Sequence, residues 1–138
     1  MRAFVVVAAL TTVLAAGGAA RAQDRIEISR GVDKLVLGSC VPSLKAVNNT
    51  AVVVDYLEVG LEFTLKSGAT RTLEFRSRYR GGVERPVPPG MTADLTVQLD
   101  LSQPLGAECP DIVDVTVVDA VCEAAGKPCP GVIAVNPK

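Results

Sequence analysis

Over most of the chain, apolar and polar residues alternate one by one. Leu57, Val59, Leu61, Phe63 and Leu65 alternate with Glu58, Gly60, Glu62 and Thr64. Five apolar positions in phase at a period of two describe a strand with one buried face. Lys66-Ser67-Gly68-Ala69 supplies a turn, and Leu73 and Phe75 then alternate with Thr72, Glu74 and Arg76, so the two runs predict a hairpin. A second clean alternation puts Met91, Ala93, Leu95, Val97, Leu99 and Leu101 on one face and Thr92, Asp94, Thr96, Gln98 and Asp100 on the other. Residues 112–122 predict a further strand, with Val113, Val115 and Val117 opposite Asp114 and Thr116. Its end over 118–121 is more apolar and reads as covered on both faces.

Shorter strands are expected at Ile26 and Ile28, over 35–37, over 44–47 and over 131–135, with Asn48-Asn49-Thr50 breaking the third of these. Between them lie polar or Pro/Gly-containing turns. Residues 78–82 and 103–111 read as loops, Pro89-Gly90 suits the centre of a type II turn, and 123–130 is a turn. Glu123-Ala124-Ala125 allows one helical turn at most. There is no internal repeat, interdomain linker or long helical pattern. Seven or eight short strands with turns between them predict an all-β sandwich, with a small closed β-barrel as the alternative.

The N-terminus breaks this pattern. Arg2 precedes an apolar run over 3–16 interrupted only by Thr11 and Thr12, and Ala20-Arg21-Ala22 places small residues where a signal peptidase reads. This is the pattern of a secretory signal peptide, and the run falls short of the roughly 20 apolar residues of a membrane anchor. The expected organisation is a signal peptide over 1–22 and one β-sandwich domain over 23–138. Loss of Arg2 and Arg21 would take the net charge from −1 to −3. No cysteine closely follows the cleavage site, so no lipid anchor is expected, and no later segment approaches a membrane span. The processed product is expected in the periplasm or outside the cell.

Composition narrows the chemistry. The 138 residues include no His and no Trp, which removes His-based catalysis and His metal ligands. A near-neutral balance of 14 basic and 15 acidic residues argues against a nucleic-acid partner. No phosphate-binding loop, nucleophile elbow or calcium loop is present, although Asp114 and Asp119 are acids on one strand. Glu58 and Glu62 alternate with a buried stripe, as on a solvated sheet face. No catalytic residue, metal ligand or cofactor is expected, and the chain reads as a non-enzyme. Asn48-Asn49-Thr50 matches a glycosylation sequon but is expected to serve as a turn.

Cys40, Cys109, Cys122 and Cys129 all lie in the exported part. An even count in an oxidising compartment favours two disulfides, for which three connectivities exist. The spacings contain no C-x-x-C, which disfavours zinc and thiol-redox roles. In a sandwich, successive loops alternate between the two ends. Cys40 and Cys109 each precede a strand at one end, and Cys122 and Cys129 flank the last turn at the other. The expected bridges are therefore Cys40–Cys109 and Cys122–Cys129.

The order of signals resembles exported bacterial domains of the immunoglobulin or fibronectin type III kind. A strand ends in Asn48-Asn49-Thr50, a long alternating strand turns at Ser67-Gly68, and a Pro-Pro-Gly turn precedes an alternating strand, a Val-rich strand and a terminal strand. Small size, export and cysteines are also similar to the bacterial interleukin receptor mimic family, which implies a fibronectin-type-III-like fold. The buried Trp of antibody domains is missing and the cysteines do not sit on facing central strands, so antibody-type function is not carried over.

Charge is unevenly spread. Residues 23–85 carry a net charge of +2 and residues 86–138 a net charge of −5. Arg71, Arg76, Arg78, Arg80 and Arg85 cluster within 15 positions and form the candidate contact for an anionic partner. A charged hairpin guarding an edge strand would look the same. The expected function is a non-enzymatic binding module for another protein or an envelope component. A structural subunit of a pilus or adhesin, joined by strand exchange, is the alternative, and an exported enzyme or thiol redox protein is the third reading. The sequence leaves the oligomeric state open, a dimer included.

Overall fold

The structure is a computed structural model that describes residues 24–77, 85–97 and 105–138. The signal peptide expected over 1–22 lies outside the described residues. Alternating patterns become strands throughout: β1 (Arg25–Arg30), β2 (Lys34–Val36), β3 (Ser39–Val41), β4 (Leu44–Asn49), β5 (Tyr56–Leu65), β6 (Thr70–Arg76), β7 (Thr92–Val97), β8 (Ile112–Ala124), β9 (Lys127–Pro128) and β10 (Val132–Asn136). The helical content among the described residues is one 3₁₀ turn, Cys109–Asp111. The all-β class is as the alternation predicts, and the two disulfides are as the even cysteine count predicts.

Eight strands form one sheet in the order β10-β1-β4-β7-β6-β5-β8-β9, and β2 and β3 form a separate hairpin. The sheet curls around a single core of Ile26, Ile28, Leu44, Leu57, Leu61, Phe63, Phe75 and Leu95. Such a curled sheet fits the barrel alternative better than two separate layers. Its two halves, β10-β1-β4-β7 and β6-β5-β8-β9, are joined by a short ladder in which Phe75 faces Val97 and Arg76 faces Thr96. The spine is β5, paired antiparallel to β6 on one side and to β8 on the other, with irregularities in the β8 ladder at Gly60/Leu61 and Thr64/Leu65. A β-bulge of this kind sharpens local twist, which helps the sheet to curl.

Four expectations need correction. β4 is not broken at Asn48 but runs through Asn49. Asn48 is buried, its amide nitrogen donates to the carbonyls of Val52 and Val87 (2.8 Å each), and its oxygen accepts from Thr50 N and Oγ1. A polar triplet that reads as a loop is here an internally satisfied staple, and the sequon asparagine is not displayed. Residues 118–121 are not covered on both faces, since Val118 and Val121 are exposed. Glu123-Ala124-Ala125 is not helical: β8 continues to Ala124, and Ala125 and Gly126 both take positive φ (50° and 73°) in the turn to β9. The predicted 35–37 strand ends at Val36, because Leu37 enters the turn with φ 50°.

The Pro89-Gly90 turn is in place. Met91 N donates to Pro88 O (3.1 Å) and Gly90 has φ 75°, as a type II turn requires. The last strand does not return beside β8. It crosses to pair parallel with β1, from Arg25↔Val132 to Ser29↔Asn136. Gly131 permits this crossing. Its φ is 85°, and a Cβ there would run into the Asp24 carbonyl, the group that accepts from Val132 N (3.1 Å).

Candidate interaction surfaces

The arginine segment is only partly described, because Arg78 and Arg80 lie outside the described residues. Along β6 the phase of Leu73 and Phe75 is inward, so Arg71 shares the inward phase and Arg76 the outward one. Arg71 is exposed at the rim, where it borders a cavity of about 470 Å³ with Leu65, Lys66, Leu105 and Asp111. Arg76 is half-buried on the outer face, in ion pairs with Glu58 (2.8 Å) and Glu74 (2.5 Å). The Tyr56 hydroxyl bonds the same Glu58. Burial by itself would lower the pKa of Arg76. The carboxylates of Glu58 and Glu74 and the Tyr56 phenol more than offset this, and the guanidinium pKa stands above its ordinary value. Arg85 is exposed on the approach to the Val87–Val54 bridge and is itself engaged in an interaction. The structure therefore places Arg71 and Arg76 on opposite faces of one strand, with the charge of Arg76 already balanced.

Two surfaces escape the sequence reading. The first is the β2–β3 hairpin. Leu37 and Gly38 form its tight turn, both at positive φ (50° and 76°), and Val36 pairs with Ser39 beside it. Val32, Leu35, Val36 and Leu37 are all exposed, Leu35 to 66% and Leu37 to 87%. At the base of the hairpin Cys40 is buried, bridged to Cys109, and donates its backbone N–H to Ala107 O (2.7 Å). An apolar arm is thus tied to the body at its base. Asp33 approaches Cys40 and Cys109, but both sulfurs are committed to the disulfide and are not metal ligands.

The second is a seam along β8. One edge of β8 pairs with β5, while its other edge meets β9 only at Glu123 and Ala124. β10 lies alongside but hydrogen-bonds to β1, so among the described residues β8 and β10 share no ladder. Val115 and Val117 have the inward phase, since Val115 faces Phe63 and Val117 faces Leu61, both fully buried; Val113 is the extra residue at the Thr64/Leu65 irregularity. Val115 is buried, yet Val117 is 43% exposed. Residues that point into a barrel become exposed only where its wall is open. Cys122–Cys129 closes one end of the seam, and a Lys138–Asp114 ion pair (3.4 Å) spans the other.

Beneath the Lys138 end, a cavity of about 510 Å³ is bordered by Arg30, Asp33, Ile112, Val113, Val115 and Pro137. Arg30 sits inside the wall, paired with Asp33 (2.5 Å), its guanidinium carbon 5.4 Å from the centre of the Phe63 ring. Arg30 Nη1 and Asp33 Oδ1 are buried without a hydrogen-bond partner among the described residues. Spacing alone signals neither surface. The alternation of 112–121 predicts a half-buried strand, and only the departure of β10 to β1 leaves that strand unpaired.

No family model matches the chain, and no curated protein matches it. Among solved structures, IrmA from Escherichia coli superposes with a TM-score of 0.50 at 15% identity, over 83% of this chain and 91% of IrmA. At that identity the likeness is one of fold. Among the described residues no helix is long and apolar enough to cross a membrane. Two disulfides that join all four cysteines are what an oxidising compartment favours, and the chain has the fold of IrmA at that distance.

Proposed function

We propose that this chain is an exported, non-catalytic binding module of the immunoglobulin/fibronectin type III kind, working in the periplasm or outside the cell against another protein or an envelope component. The observation that carries the reading is the β2–β3 arm. Large apolar side chains held out on a disulfide-anchored hairpin are a cost in water, and contiguous exposed apolar surface marks contact sites. The grouping of β1, β4 and β7 beside β6, β5 and β8 supports the fold type, because immunoglobulin-like sheets collect their strands in this way. The likeness to IrmA supports the same fold type.

Replacing Leu35 and Leu37 together by Ser tests this. The exposed side chains contribute little to folding, so unfolding free energy should change by no more than about 1 kcal/mol. Crosslinking in the native envelope should lose the partner that the unaltered protein captures. The same crosslinked partner in equal yield contradicts the hairpin as contact. The arginine segment is the rival contact, and a partner lost on replacing Arg76, Arg78 and Arg80 but kept with the leucine variant favours it. A filament in native size measurements favours the pilus or adhesin reading. A reproducible turnover by purified protein removes the non-enzyme reading.

A further inference from the structure

We propose that the β8 seam is a strand-receiving site, and that its occupant is an extended segment of a partner protein in which apolar residues alternate with Lys or Arg. The observations behind it are separate from the hairpin, so either proposal can fail alone.

The backbone sets the class of ligand. Cys122 O accepts from Cys129 N, so Cys122 presents its backbone groups away from β5. Leu57 O accepts from Ser77 N, so the alternate residues of β5, Glu58 to Thr64, present theirs to β8. By strand alternation, Asp114, Thr116, Asp119 and Val121 bond to β5, and Val115, Val117 and Ala120 turn their N–H and C=O groups to the seam, while Val113 and Val118 are the extra residues at the two irregularities. Unpaired strand edges are satisfied by another strand.

The side chains set its character. In antiparallel pairing, directly opposed residues share a face. A residue opposite Val117 would point into the open wall and fill the space that leaves this valine exposed, which calls for Val, Ile or Leu. Residues opposite Asp114 and Asp119 would lie on the outer surface. That surface carries Glu58, Glu62, Asp114, Asp119 and Glu123, and the cations paired there are Arg76 and Lys138. Glu62, Asp119 and Glu123 have no ion-pair partner among the described residues. Asp119 stands opposite Gly60, diagonal to both Glu58 and Glu62, a gathering of like charge.

This charge argues against a second copy of β8 as occupant, because self-pairing would bring two acidic edges together. It favours a basic strand. Lys138 already occupies one such position, beside Asp114, on an exposed side chain at the end of the seam. An exposed pair of this kind is weak. A basic residue of the incoming strand would take the place of Lys138 and let the seam open.

The test uses the full-length processed protein and two capped nine-residue peptides, one alternating Val and Lys, the other alternating Val and Glu. At low salt the Val/Lys peptide should bind at least tenfold more tightly than the Val/Glu peptide, lose affinity as salt rises, and slow amide exchange at Val115, Val117 and Ala120. The double variant Asp114→Lys, Asp119→Lys should reverse the preference between the peptides. Val117→Pro removes a seam-facing N–H without touching the β5 ladder and should abolish binding. If that variant fails to fold, the charge-reversal variant decides alone. Binding of neither peptide overturns the proposal. So does equal binding of both, or a sedimentation result in which β8 is already paired in a dimer of this chain.

Discussion

Replacing Cys40 and Cys109 by Ser lowers the free energy of unfolding by about 4 kcal/mol, and replacing Cys122 and Cys129 lowers it by about 2.5 kcal/mol, by chain-entropy reasoning. The difference follows from sequence separation, 69 residues against 7. The longer bridge removes far more freedom from the unfolded chain. It also ties the base of the β2–β3 arm to the 105–111 loop, whose Leu105 is buried in the core. The double variant should therefore lose stability and also free the hairpin. Denaturant unfolding of both double variants checks the order of the effects, and amide exchange at Leu35 and Val36 checks the loosening. A larger loss from the short bridge would mean that the long one does not span the unfolded chain as described.

Replacing Phe63 by Ala costs about 3–5 kcal/mol, the range for deleting a fully buried aromatic ring. Phe63 is fully buried on β5, its centroid 6.2 Å from that of Phe75, and it carries the Arg30 guanidinium on its face. The variant would open a cavity in the middle of the curled sheet. It would also leave Arg30 inside the wall with Asp33 as its charge partner and no ring beneath it, a contact worth about 0.5–2 kcal/mol of the total. Phe63→Leu should recover most of the loss. A loss below about 1 kcal/mol for the alanine variant would mean that the core does not centre on this ring.

The hydrophobic alternation made much of this fold readable. The phase of Leu57 to Leu65 predicts a buried face, and all five residues are buried as the alternation requires. The disulfide pairing followed from loop alternation, because chain direction reverses at each turn whether two sheets face each other or one sheet curls. What could not be read is long-range pairing. Nothing in Val132 to Asn136 distinguishes a strand that joins β1 from one that joins β8, since either neighbour accepts the same alternation. The open seam, and with it the exposure of Val117, follows from that single choice. Asn48 misleads for the opposite reason. Its composition signals a break, while four internal hydrogen bonds hold it within a strand. The hairpin arm is equally silent in sequence, because Leu35 to Leu37 look like core residues until the turn at Leu37 and Gly38 carries them away from the core.

The open edge of β8 is tested most directly by amide hydrogen exchange, residue by residue, on the processed protein without any partner. With the seam open, exchange alternates along the strand. The amides of Asp114, Thr116, Asp119 and Val121, bonded to β5, are strongly protected, and those of Val115, Val117 and Ala120 exchange faster by orders of magnitude. Uniform strong protection from Asp114 to Val121 would mean that β8 is paired on both edges and that no seam exists.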